Sequence, residues 1–180
     1  MRKSSYEFTC FIDKIESFYV GIIFKNGLFT NTLPSRDKSK VISYLNQKYD
    51  FVIQKGNNSF ISEIIVDMWK GKDVSKEADK IKIDYTGFNQ KQISILQFTR
   101  SIEFGYVKSY TDIALNVGLV KSQRYIGYIL SQNRWPLLIP CHRVIQSSGN
   151  LGGYMWGIDR KKALIGWESA QINIHDDTIG

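Results

Sequence analysis

Thiols and imidazoles are scarce in this chain of 180 residues: Cys10, Cys141, His142 and His175 make up the whole soft-ligand inventory. No CxxC or HxxxH spacing occurs, so no zinc or other metal site is expected. Met1-Arg2-Lys3-Ser4-Ser5-Tyr6-Glu7 lacks the apolar core of a signal peptide, and no uninterrupted apolar run approaches membrane-spanning length. The expectation is an intracellular protein with no membrane partner, cytoplasmic in a prokaryote or nuclear in a eukaryote, in which Cys141 stays a free thiol. Internal repeats and low-complexity segments are missing too. Acid is missing from one stretch in particular: Leu119 to Arg143 carries Lys121, Arg124, Arg134 and Arg143 and no Asp or Glu.

What is present is enough apolar content, 43%, to build a core, together with a formal net charge of +7. A sequence pI near 9.3 points to a polyanionic partner, and charge alone does not choose between nucleic acid and an acidic surface.

The first half reads as α+β. Tyr6, Phe8, Cys10 and Ile12 alternate as in a strand. Phe18 to Phe24 and Leu28 to Leu33 flank Lys25-Asn26-Gly27, a hairpin signal because Asn-Gly tolerates the positive φ of a tight turn. Val41, Ile42, Leu45 and Tyr49 recur at helical spacing, a short strand is expected over Phe51 to Gln54, and Phe60 to Trp69 has a clean helical period ending at Gly71. Ile81 to Tyr85 reads as a last strand. The expected division is an N-terminal α+β domain over residues 1–85, a mostly helical C-terminal domain over 86–168, and a tail over 169–180. Cys10, in a strand, reads as packing.

The second half predicts a helix over Gln92 to Phe104, a short one opening at Ser109 or Tyr110 and ending at Gly118, and a third from Lys121 or Ser122 to Ser131. The last two, around a glycine-containing turn, make a helix-turn-helix pattern. The acid-free basic stretch begins there and turns the reading towards phosphate contact. It ends at Leu137-Leu138-Ile139-Pro140-Cys141-His142-Arg143-Val144-Ile145, where a thiol and an imidazole stand side by side. Pro140 has no N–H for a sheet ladder, which places Cys141 at a strand end or in a loop. His142 and Arg143 beside it favour thiolate over thiol.

These residues resemble the O6-alkylguanine-DNA alkyltransferases, also called methylated-DNA-protein-cysteine methyltransferases. Ile139-Pro140-Cys141-His142-Arg143-Val144 is similar to that family's active-site signature residue for residue. Gly105-Tyr106-Val107-Lys108-Ser109-Tyr110, Ile113-Ala114, Gly118, Arg124, Gly127 and Asn133 fall at its spacings upstream, and Ser148-Gly149, Leu151-Gly152-Gly153-Tyr154, Gly157, Lys161 and Glu168 do so downstream. The likeness is specific over about residues 88 to 168; before that it is only architectural.

The resemblance implies a monomeric repair protein for double-stranded DNA containing O6-alkylguanine, with no cofactor and one turnover per molecule. Cooperative loading along DNA is left open. The target base is flipped out through the minor groove, and its alkyl group passes to Cys141. His142 acts as base through a water, Glu168 orients the imidazole, and Asn133 holds the active-site turn. Arg124 fills the space left by the base, Tyr110 contacts the target's phosphate and base, and Lys121, Ser122 and Gln123 lie with them on the DNA. Tyr110, Val144, Tyr154, Met155, Trp156 and Lys161 line the substrate pocket. Two departures stand out. Met155-Trp156 replaces small residues and is expected to narrow the pocket against groups such as benzyl, and Arg134-Trp135 adds a charge and an aromatic ring near the active-site turn. The competing readings are an alkyltransferase-like protein that recognises damage without transfer, which Cys141 disfavours, and a thiol hydrolase using Cys141 and His142, which would leave the basic helices idle.

Overall fold

The computed structural model describes residues 8–15, 18–25, 28–48, 52–53 and 59–176. The chain divides into two compact units, Met1–Val66 with Lys76–Thr86, and Asp67–Ser75 with Gly87–Gly180.

The first unit holds the strand-rich part. Strands β1 (Phe8–Ile15), β2 (Phe18–Lys25) and β3 (Leu28–Ser35) form an antiparallel meander, and β4 (Val52–Ile53) adds parallel to β1, giving the order β3-β2-β1-β4. Lys25 pairs with Leu28, which leaves the two-residue connection the Asn-Gly pair predicts. Asn26 and Gly27 themselves lie outside the described residues, as do Tyr6, Tyr49, Phe51, Gln54 and His175's neighbours from residue 177 on. Helix α1 (Lys38–Lys48) covers this sheet: Val41 closes a cluster with Cys10 and Ile23, cross-strand partners in β1 and β2, and all three are fully buried. Burial of an Ile or Val side chain is worth roughly 1.5–3 kcal/mol. Cys10 is therefore packing, and burial lifts its thiol to about 11. Helix α2 (Ser59–Trp69) buries Ile61, Ile64 and Ile65, the stripe its period predicts.

One expected strand is not there. Residues 81–85 form no strand, because the Asp84 carboxylate accepts from both the backbone N–H and the hydroxyl of Thr86. Such local side-chain bonds compete with a sheet ladder. A short helix, α3 (Ser75–Ala78), precedes it.

The second unit is mostly helical. Helix α4 (Gln90–Arg100) begins at a capping box in which Asn89 and Gln92 bond each other's backbone N–H. It ends at Arg100, capped by Ser101, four residues short of the expected Phe104. The Ile102 carbonyl beyond it is taken by the Arg143 side chain at 2.7 Å. Strand β5 (Lys108–Ser109) leads into α5 (Tyr110–Asn116), again through a capping box, Ser109 with Asp112. Gly118, at φ 69°, reverses the chain. Lys121 sits at φ 60°, outside helical space, so α6 runs Gln123–Ser131 rather than from Lys121. A 3₁₀ turn, Cys141–Arg143, then enters β6 (Val144–Ile145), which pairs parallel with β5. The last helix, α7 (Ile158–Asp176), continues eight residues beyond Glu168, so the expected tail is helix to Asp176. Among the described residues, no helix is long and apolar enough to cross a membrane.

Candidate active site

The turn that carries Cys141 is fixed from both sides. Upstream, Leu137 adopts φ 75°, a left-handed conformation costly for a branched residue, and is held by the Ile139 N–H donating to the Trp135 carbonyl at 2.8 Å. Asn133 ties the same loop: its amide donates to the Ile139 carbonyl at 2.9 Å and to Cys141 Sγ at 3.3 Å, while its Oδ1 accepts from Trp135 N at 3.0 Å. Trp135 is fully buried, and the Arg134 guanidinium lies 4.6 Å from the Phe88 ring centre. The Arg134-Trp135 departure is thus scaffold beneath the turn.

Downstream, three ionisable side chains are buried together. Glu168, on α7, meets His142 Nε2 at 2.9 Å, Arg143 Nε at 2.8 Å and Arg143 Nη2 at 3.1 Å. Burial works to raise the Glu168 carboxyl, but the hydrogen bonds and charge of its two partners outweigh it and hold it ionised, well below the usual carboxylate range. Burial lowers His142 more than Glu168 raises it, so the imidazole is neutral. An ionised carboxylate only accepts, so Nε2 carries the proton and Nδ1 keeps its lone pair. Nδ1 is buried with no hydrogen-bond partner among the described residues.

Burial also pushes the Cys141 thiol up, and the Asn133 amide and the Lys161 ammonium pull back without offsetting it. This corrects the expectation that the neighbouring His142 and Arg143 favour thiolate. Arg143 is turned away into Glu168 and the Ile102 carbonyl, and His142 is uncharged.

Cys141 opens on a cavity of about 530 Å³ lined by Tyr110, Gly127, Leu130, Ser131, Gly153, Tyr154 and Met155. Of the six residues expected to line a substrate pocket, Tyr110, Tyr154 and Met155 line this cavity. Val144, Trp156 and Lys161 are not on its wall. Lys161 is fully buried and donates to the carbonyls of Val144 (2.6 Å), Leu151 and Gly153 (3.4 Å), clamping β6 to the following loop. Trp156 faces Trp69 and Tyr154, with ring centres 5.0 and 5.6 Å away. The turn closed by Gly157 N–H to the Tyr154 carbonyl sends Met155 and Trp156 to different surroundings. Of the outward residues, Lys121 and Arg124 are exposed, Ser122 is half-buried, and Gln123 Nε2 reaches Thr111 Oγ1 at 3.4 Å. The sequence reading did not include the α6 lining residues Leu130 and Ser131 or the glutamate clamp by Arg143; the i, i+3, i+4 spacing of Gly127, Leu130 and Ser131 is the signal that points to the first. Among the described residues, no group of His, Cys, Asp or Glu is arranged to hold a metal ion.

Fold and site together define an α+β protein with one buried, hydrogen-bonded thiol on a cavity beside a neutral histidine and its carboxylate. Comparison with known proteins narrows this class. Residues 90–170 match the family model of the 6-O-methylguanine DNA methyltransferase DNA-binding domain. The methylated-DNA–protein-cysteine methyltransferase of Methanocaldococcus jannaschii is 32% identical over 169 residues, 91% of this chain and 94% of that protein. The corresponding protein of Methanocaldococcus vulcanius is 34% identical over 164 residues, covering 87% and 95%. In fold, the crystal structure of Mycobacterium tuberculosis OGT in complex with DNA matches with a TM-score of 0.74 at 23% identity, covering 90% of this chain and 93% of that one. The chain belongs to the methylated-DNA–protein-cysteine methyltransferase family, DNA-binding alkyltransferases of DNA repair.

Proposed function

We propose that this protein repairs O6-alkylguanine, methyl above all, in double-stranded DNA by irreversible transfer of the alkyl group to Cys141. The observation that carries the reading is a thiol on the cavity wall, Cys141, that accepts from the Asn133 amide at 3.3 Å and is followed in the chain by His142, whose Nε2 meets Glu168 at 2.9 Å. A nucleophile, a base and a group that orients the base are the parts an activated thiol needs.

In this reading a water relays the thiol proton to His142 Nδ1, and Glu168 stabilises the imidazolium that forms. Cys141 Sγ attacks the O6-bound carbon. The S–C bond forms as the C–O6 bond breaks, the electron pair passes to guanine, and guanine takes up a proton. The products are neutral guanine and S-alkylcysteine. A thioether has no easy leaving route, so each molecule acts once and needs no cofactor. Burial keeps the Tyr110 and Tyr154 phenols protonated, which suits them to donate to the purine.

A stacked base does not present its alkyl carbon to a buried thiol, so the target must leave the helix, at a cost of about a few kcal/mol. The cavity, about 530 Å³, is of the size that takes a small ligand such as a purine. Helices α5 and α6 form a helix-turn-helix laid along the minor groove. Exposed Arg124 takes the place of the extruded base, and Lys121, Ser122 and Gln123 meet the phosphates at the start of α6. The test is Cys141→Ser, which keeps affinity for a duplex containing O6-methylguanine and loses all transfer. Transfer persisting in that variant would move the acceptor to Cys10, the other thiol of the chain, and end this reading of the site.

A further inference from the structure

A continuous aromatic train runs from the end of α2 to the cavity. Trp69 has its ring centre 5.0 Å from that of Trp156; Trp156 is 5.6 Å from Tyr154; Tyr154 lines the cavity and lies 6.2 Å from the His142 ring. Neighbouring pairs meet edge to face at 65°, 80° and 73°, the arrangement in which aromatic contacts are directional.

Trp69 is itself anchored. The Arg160 guanidinium sits 3.4 Å from its ring centre and 4.9 Å from that of Trp167, and the same side chain donates to the Trp69 carbonyl. Gln171 donates to the Gly71 carbonyl two residues on. At Gly71, with φ 77°, an added Cβ would lie 2.7 Å from Trp167 Cβ, so only glycine lets this segment approach α7 so closely. Segment Asp67–Ser75 therefore belongs to the second unit although it lies outside the 90–170 family match.

We propose that Trp69 is a positioning residue for the alkyl-group pocket: through Trp156 it holds the Tyr154 wall in place and thereby sets which O6 substituents the cavity admits. This rests on the reading of the cavity as the alkylguanine site. It also relocates the steric role expected of Trp156, which stands behind the wall and acts as the link rather than as the wall. Without the Trp69 ring, Trp156 and Tyr154 gain room to retreat, and a large planar group gains more from that than a methyl.

The test compares the unchanged protein with Trp69→Ala and Trp69→Phe in single-turnover reactions with an O6-methylguanine duplex and with free O6-benzylguanine. In Trp69→Ala the ratio of benzyl to methyl rate constants rises about tenfold, the scale on which pocket contacts discriminate by size. Trp69→Phe, which keeps an aromatic edge against Trp156, stays within about twofold of the unchanged protein. A Trp69→Ala protein that transfers methyl with an unchanged ratio overturns the proposal, as does an equal fall in both rates. If Trp69→Ala gives no cooperative unfolding transition, Arg160→Gln reads the same ratio by releasing the anchor, and an unchanged ratio there also overturns it. Failure of the underlying function looks different: the unchanged protein then transfers neither group.

Discussion

Cys141 is buried as a thiol, beside an imidazole that burial keeps neutral, and this combination fixes a pH profile. In the proposed mechanism the thiol reacts when Nδ1 is free to take its proton, or directly once it has ionised to thiolate. His142 is lowered from its ordinary 6.5, and Cys141 is raised from its ordinary 9.0. The single-turnover rate constant is therefore flat around neutral pH, falls on the acid side with a midpoint below 6.5 as His142 protonates, and rises on the alkaline side with a midpoint above 9.0 as free thiolate appears. A rate that climbs steadily through neutrality would assign activity to a minority thiolate and remove His142 as base. Glu168 carries a second expectation. Glu168→Gln leaves the Arg143 guanidinium buried without a counter-charge, and loss of one partner of such a pair costs about 3–5 kcal/mol. Urea unfolding measures that loss, and a change under about 1 kcal/mol would mean that solvent reaches the pair. At these positions the sequence shows chemistry only in part. The Cys-His pair is adjacent and visible, but Glu168 lies 26 residues away and is brought back by α7. Arg143 shows the opposite failure, because adjacency in sequence does not fix where a side chain points.

Helix α6 leaves Arg124 exposed and sets Gly127, Leu130 and Ser131 on the cavity wall, so in the proposed function one element serves both DNA and substrate. Arg124→Ala is expected to slow transfer from duplex DNA about tenfold or more, part of an unstacking cost of a few kcal/mol, and to leave transfer from free O6-benzylguanine unchanged. Equal losses on both substrates reject the stand-in role. The capping box that starts α5 is worth about 1 kcal/mol, which Ser109→Ala loses in thermal unfolding. Gly105 permits the approach of α7: at φ 75°, an added Cβ would run into Ile172 Cδ1 and lie 3.2 Å from the Glu168 carbonyl. Elements with strong local signals were legible. The alternating strands, the Asn-Gly hairpin, and the start of α5 and stop at Gly118 follow from turn and cap chemistry. The end of α4, the start of α6 and the absence of a strand at 81–85 did not, because each depends on a tertiary or side-chain bond: Arg143 on the Ile102 carbonyl, the left-handed Lys121, Asp84 on Thr86. Helix α7 lacks a clear apolar stripe because it buries Lys161, Leu164 and Glu168 alike, polar groups serving the site.

The chain as a whole carries a net charge of +7, with the acid-free stretch Leu119 to Arg143 in the second unit. Duplex affinity is expected to fall linearly with salt on logarithmic axes, by about 0.9 in slope for each phosphate neutralised, and Lys121→Ala flattens that slope by about 1. Binding insensitive to salt would remove the phosphate contacts. The two-part organisation was legible from the change in composition, whereas the assignment of Asp67–Ser75 to the second unit was not, since it turns on Arg160 and Gln171 reaching its carbonyls. In the proposed function this molecule accepts one alkyl group on Cys141 from DNA. Incubation with a duplex containing a single O6-methylguanine, followed by intact and peptide mass measurement, tests it directly. One added methyl group is expected, located on Cys141 and saturating at one per molecule; an unmodified protein that still binds the duplex would rule this function out.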